Sequence, residues 1–403
     1  MNLYYIYNKF CIIDNEVIPM LVKSNLLISN STDLLDVNQT DFRVIEYLID
    51  ETYFPALLQR KFENEKNHRM IYDAFSDLEM IYYFVHQIKD IQKSKQRKES
   101  TKIEYIRELL QFYRYLLKSE EFLRKDVDSY IEESLLKNLK QRHIESYQQW
   151  LSNYQYGSKM QQYRVTTLSK KLVILKSFFK FLFDSNYVQV PLFTRILNAK
   201  ITKDDLPNRD LEESEVKSLL NFYRGNILIT TLIKLLATTG MRIRELAEAK
   251  WGNVSKDANG YWLEIVGKGN KKREVKLLNH VFIDLCKLRS RRGFSNSISK
   301  TDTNPFFPNK LNKHYSFKYL SKYVIDIIKA SELPFVLDHN RTNNISPHFF
   351  RHHYACRSIE KGASIYQVSR SLGHESIQTT EIYLAKMMNR SQHASNVWDD
   401  EEY

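Results

Sequence analysis

Apolar residues recur at helical spacing through the middle of the chain. Ile103, Ile106, Leu109 with Leu110, Tyr113 and Leu116 with Leu117 form one stripe, and Arg107, Arg114 and Lys118 lie off it. Ile144, Tyr147, Trp150 with Leu151, and Tyr154 form a second. Leu168, Leu172, Leu175, Phe178 with Phe179, and Leu182 form a third, which carries Lys170, Lys171, Lys176 and Lys180. Together they predict a helical bundle over residues 95–195. Residues 198–211 are polar and contain Pro207, the pattern of a linker. Beyond it a helix is expected near Glu212, then apolar helical segments at 227–237 and 242–249. The alternating runs 261–266 and 274–277 flank Gly267-Lys-Gly-Asn-Lys-Lys272, which reads as a β-hairpin with Gly-Asn at its tip. From Pro347 to Arg390 the pattern is helical again, with breaks at Gly362 and Gly373. The expected fold class is mostly α with a small β-hairpin or sheet in the C-terminal half.

Charge changes the picture more than composition does. With 43% hydrophobic and 27% charged residues the chain can bury a core, and wholesale disorder is excluded. Net charge is +12, but it is unevenly spread. Residues 1–90 hold 8 Lys+Arg against 14 Asp+Glu, whereas residues 91–403 hold 52 against 34. An acidic N-terminal part is joined to a strongly basic body, and a basic body favours nucleic acid as partner. The run Lys93–Lys98 is the expected boundary between them. Segments 44–58 and 70–88 are rich in aliphatic and aromatic residues and should fold. Because this part is acidic, it is expected to contact protein or regulate rather than bind DNA. Any one lysine-bearing helix face is ordinarily a solvated surface; three in one region make DNA contact a reasonable expectation. Cys11, Cys286 and Cys356 suit neither a disulfide framework nor a zinc site. No apolar run of about 18 residues and no basic-then-apolar leader is found, so a cytoplasmic protein with no membrane partner is expected.

The basic body holds, in order, Thr239-Gly-Met-Arg242 with Glu245 three residues on, Lys268 at the hairpin tip, His348-Phe-Phe-Arg351, Leu372-Gly-His374, and Tyr383. Attack on a phosphodiester builds negative charge on its non-bridging oxygens, and arginine forks suit that charge. A tyrosine can attack if a base takes its proton, and a lysine can protonate the departing alkoxide. Covalent capture would conserve the phosphodiester bond energy, so rejoining would need no metal, ATP or other cofactor. Each motif alone is weak, and Tyr383 is one of 26 tyrosines. Their order and joint occurrence carry the argument. Clustered carboxylates at metal-ligand spacing, which a metal-dependent nuclease would need, are not found near them.

On these stretches the chain resembles the tyrosine recombinase (phage integrase) family: ATTGMRIREL at 237–246, IVGKGNKKREVKL at 265–277, SPHFFRHHYA at 346–355 and SLGHESIQTTEIYLA at 371–385. The resemblance covers residues 200–390 and extends more weakly over 95–197, where TLSKKL at 167–172 and SFFKFL at 177–182 look familial. It implies residues 93–197 as a helical core-binding domain, 198–211 as linker, 212–393 as catalytic domain and 394–403 as an acidic tail. Residues 1–92 have no counterpart that the resemblance names. The two domains are implied to form a C-shaped clamp on double-stranded DNA, acting as a homo-tetramer on two duplexes. The resemblance implies Tyr383 as nucleophile forming a 3′-phosphotyrosyl link, with Arg242 and Arg351 clamping the phosphate and Lys268 as general acid. It implies His348 as proton acceptor or shuttle, His374 as hydrogen-bond donor to the phosphate, and Glu245 as a carboxylate orienting the basic cluster. The DNA-contact candidates are Lys170, Lys171, Lys176, Lys180, Arg107 and Arg114. His352 and His353 are expected to be structural and packing residues, and Cys356 a small buried hydrophobe. Trp398 is either an anchor for a C-terminal segment exchanged between protomers or part of a frayed tail. The expected function is a recombinase serving a mobile element. The alternatives are a Xer-like dimer resolvase, a type IB-like topoisomerase and a non-cleaving DNA-binding regulator.

Overall fold

The structure is a computed structural model, and it describes residues 40–92, 96–157, 160–199, 201, 209–267, 271–338, 344–374 and 377. The chain divides into two compact units, 1–206 and 207–403. Among the described residues both are mainly helical, and the strands there form one two-stranded and one three-stranded sheet. Among the described residues no helix is long and apolar enough to cross a membrane.

In the first unit the three predicted stripes become α4 (Glu99–Lys118), α6 (Gln141–Asn153) and α7 (Val165–Asp184). They are preceded by α1 (Thr40–Ile49), α2 (Phe54–Lys66) and α3 (Asp77–His86), and the short α5 (Glu120–Asp126) follows α4. A two-residue ribbon, β1 (Gln155–Tyr156) with β2 (Gln161–Gln162), joins α6 to α7. The described part of the acidic segment, from residue 40, does not form a core of its own. Leu57, Met80, Phe84 and Val85 lie in one buried cluster with Leu109, Phe112, Phe178, Phe179 and Leu182. Buried residues before and after the expected boundary near residue 93 therefore belong to a single core rather than to two. The reason is visible in α3, whose ten residues are all buried. Its run Met80–Val85 is apolar on every side and must be enclosed, which α4 and α7 do, while Asp77, Glu79 and His86 at its ends are buried with hydrogen-bond partners.

Polar bonds reinforce the junction. Asp77, at the start of α3, accepts from Ser134 Oγ at 2.5 Å and from the backbone N–H groups of Leu135 and Leu136 at 2.7 and 3.1 Å. The Tyr187 hydroxyl lies 2.9 Å from the same carboxylate. Glu79 accepts from Tyr53 and Arg60 at 2.7 and 3.0 Å and closes the capping box with Ser76.

In the second unit α8 (Glu213–Phe222), α9 (Ile227–Thr239) and α10 (Ile243–Glu248) appear close to their expected positions. The hairpin is β4 (Gly260–Val266) with β5 (Lys272–Leu277), and β3 (Val254–Asp257) adds a third antiparallel strand. Helices α11 (Asn279–Arg291), α12 (Phe317–Ala330), α13 (Pro334–Leu337), α14 (Pro347–Glu360) and α15 (Ile365–Leu372) follow among the described residues. α9 is the hub, packed against α8, α11, α14 and β5.

Candidate active site

The site is assembled where three chain turns meet at the hub. The first is the end of α9. Gly240 closes that helix with φ 60°, and a Cβ there would stand 2.5 Å from Tyr354 Cδ1 and 2.7 Å from Leu372 Cδ2. Only glycine meets both demands, so the Thr-Gly-x-Arg motif is a packing requirement as well as a turn. Two residues on, Arg242 opens α10, and Glu245 reaches back to accept from the Arg242 backbone N–H at 2.7 Å and from its Nη1 at 2.9 Å.

The second turn is the start of α14, where Pro347 is pre-set for a first helical turn. It presents His348 at the surface and, one helical turn later, buries Arg351 at 2% exposure. Arg351 donates from Nη1 to the Gly240 carbonyl and from Nη2 to the Leu372 carbonyl, both at 2.6 Å. One guanidinium thus pins the turn leading to Arg242 and the turn leading to His374, and both bonds set its plane. The third turn is the end of α15, where Gly373 (φ 64°) terminates the helix and delivers His374.

Electrostatics reflect this convergence. Burial lowers the pKa of His374 to about 4, assisted by the positive fields of Arg351, Arg242 and Arg273. Although part of His348 is exposed, desolvation by the protein packed around it lowers its pKa too, and the positive fields of Arg209, Arg351 and Arg242 add to this. Both imidazoles are therefore neutral at pH 7. Burial would raise Glu245, but the hydrogen bonds and charge of Arg273, with the Arg242 contacts, outweigh it and hold the carboxyl below its ordinary range.

Arg242, Glu245, His348, Arg351 and His374 are brought together. Lys268 and Tyr383 lie outside the described residues, as does Trp398. The motif reading passed over Arg273. Its Nη1 and Nη2 donate to Glu245 at 2.7 and 2.8 Å, and its Nε donates to the Ser371 carbonyl at 3.0 Å. A signal was available: the period of two in β5 places Arg273 on the inward face with Val275 and Leu277, where a charge needs a partner. His353 is buried with Nδ1 2.8 Å from the Leu211 carbonyl. His352 sits near Asp210 and Cys356, whose thiol burial pushes up to about 12.

The basic faces of the first unit are less uniform than the stripes suggested. Lys171 is drawn inward: it pairs with Glu108, donates to Gln111 Oε1 at 2.7 Å and lies 4.4 Å from the centre of the Tyr163 ring. Lys170 pairs with Glu104, and Lys180 lies 3.3 Å from Asp184. Arg107 is exposed, whereas Arg114 and Lys176 are half-buried.

Comparison with known proteins agrees with this geometry. Residues 209–390 match the Phage integrase family. Tyrosine recombinase XerC of Lactobacillus delbrueckii subsp. bulgaricus is 30% identical over 227 residues, which cover 54% of this chain and 71% of that protein. Tyrosine recombinase XerC of Leptospira interrogans is 29% identical over 240 residues, covering 58% and 72%. Among solved structures, XerH site-specific recombinase in a post-cleavage complex with palindromic difH substrate is 21% identical. It covers 78% of this chain and 93% of that one, at a TM-score of 0.54, a likeness of fold. Sequence order, site geometry and relatives agree: the chain belongs to the tyrosine recombinase family and is a recombinase enzyme.

Proposed function

We propose that the chain cleaves and rejoins DNA at specific sites, using Tyr383 to attack the scissile phosphate and hold the strand as a 3′-phosphotyrosyl link. Arg242 and Arg351 stabilise the charge that develops on the non-bridging oxygens. His348, neutral at pH 7, takes the tyrosine proton, and His374 donates a hydrogen bond to the phosphate. Lys268 protonates the departing 5′-oxygen. Double-stranded DNA is held by the basic body, and four copies act on two duplexes. The observation that carries the reading is the pair of hydrogen bonds from Arg351 to the Gly240 and Leu372 carbonyls, which gathers the three motif-bearing turns to one point.

The chain serves a mobile element in this reading, on the ground that its acidic N-terminal part has no counterpart in the family resemblance. The XerC and XerD relatives favour a second reading, resolution of chromosome or plasmid dimers. The test is covalent capture on nicked duplexes built from DNA flanking the gene, with Xer-type sites in parallel. Wild type should give a protein–DNA adduct stable to denaturation, and Tyr383→Phe none. An adduct that persists in Tyr383→Phe overturns the assignment of the nucleophile, and the duplex that is cleaved separates the two biological readings.

A further inference from the structure

We propose that Arg273 is a positioning residue of this site, locking Glu245, and through it Arg242, to the turn that carries His374. The inference rests on the recombinase reading above and deepens it. Glu245 receives four N–H donors: Oε1 from Arg242 Nη1 and Arg273 Nη1, Oε2 from the Arg242 backbone and Arg273 Nη2. A carboxylate held on both oxygens by two arginines has no rotational freedom, so the Arg242 fork is aimed before any phosphate arrives. Arg273 Nε meanwhile donates to Ser371 O, three residues before His374.

Two glycines show that the backbone is fitted around this one side chain. A Cβ on Gly373 would stand 3.0 Å from Arg273 Cδ, and one on Gly267 would stand 3.2 Å from Arg273 Nη1. The Arg273 side chain is 12% exposed, and its named bonds go to Glu245 and Ser371. It therefore acts through other groups rather than as a contact to substrate. Lysine carries one nitrogen in place of the fork and cannot span Glu245 and Ser371 together.

The test uses the full chain with Arg273→Met and Arg273→Lys. Adduct formation is timed on a nicked duplex carrying either a normal scissile phosphate or a methylphosphonate, in which a neutral methyl replaces one non-bridging oxygen. The neutral phosphonate makes little demand on a cationic clamp. Both variants should slow cleavage of the phosphodiester roughly 10²-fold. On the methylphosphonate the loss should shrink below about 10-fold. Equal losses on both substrates, the signature of general damage, overturn the proposal, and so does no loss on either. A second measurement needs no DNA: the His374 ring titration, followed by NMR of ¹³C-labelled histidine, should rise from about 4 in Arg273→Lys, which keeps the positive charge, so that the rise reports the loosened turn before His374 rather than a lost field. An unchanged titration also overturns it. A wild-type chain that forms no adduct counts against the recombinase reading, and the titration then decides the inference alone.

Discussion

At the scale of single residues, the site trades conformational freedom for aim. Gly240 carries a left-handed φ and lies against Tyr354 and Leu372, so Gly240→Ala should lower unfolding free energy by about 1–3 kcal/mol. Urea denaturation of the full chain measures this, and a change below about 0.5 kcal/mol would refute the packing argument. The histidines set a pH dependence whose sign can be worked out. The folded pKa of His374 is about 4 and its ordinary value is 6.5. As pH falls below 6.5 the unfolded chain takes up this proton first, so stability present above 6.5 is lost progressively down to about 4. The urea midpoint should fall over that window, and fall less in His374→Gln. Glu245 is lowered from 4.5, so its contribution is fully present above 4.5 and is lost as pH drops from there through its folded value.

At the scale of elements, α3 decides how the first unit is organised. The charge boundary near residue 93 suggested a detachable acidic part, whereas α3 fills the space between α4 and α7. A chain truncated to begin at residue 91 would lose Met80, Phe84 and Val85 from a shared core. It should therefore show no cooperative melting of the first unit, while the second keeps its own core. A truncated chain that melts in two native-like transitions would show the reverse. Asp77→Ala should destabilise the first unit by about 2–3 kcal/mol. It leaves the N–H groups of Leu135 and Leu136 and the hydroxyls of Ser134 and Tyr187 without their common acceptor. Differential scanning calorimetry that resolves the units would measure it. In the second unit the hairpin was legible from its alternation, but β3 was not. Its run Val254-Ser-Lys-Asp257 has one buried residue, too little periodicity to mark a strand until β4 lies beside it.

At the scale of the whole molecule, charge asymmetry is the property that matters. A net +18 beyond residue 90, by the counts given above, should make duplex affinity fall steeply with salt. Lysines already paired within the fold release few counterions. Replacing Lys171, held by Glu108 and Gln111, should change the slope of log affinity against log salt less than replacing exposed Arg107. Fluorescence anisotropy over a salt series measures both slopes, and a larger effect at Lys171 would contradict the ion-pair argument. The sequence stripe could not make this distinction. It reports which face of a helix a lysine occupies, but not whether a carboxylate on a neighbouring helix waits opposite.

What the sequence determined by itself was local and ordered. The helical stripes, the hairpin and the sequence of arginine, lysine, histidine and tyrosine motifs were legible because each depends on residues close in the chain. The family followed from their order. Tertiary structure decided what depends on distant residues meeting. It placed the described part of the acidic segment inside the first core, because the apolar run Met80–Val85 of α3 must be enclosed on every side. It turned Gly240 and Gly373 into close-packing positions and paired Lys171 with Glu108. It also put Arg273 between Glu245 and Ser371, because an inward-facing guanidinium has to find its acceptors within the fold.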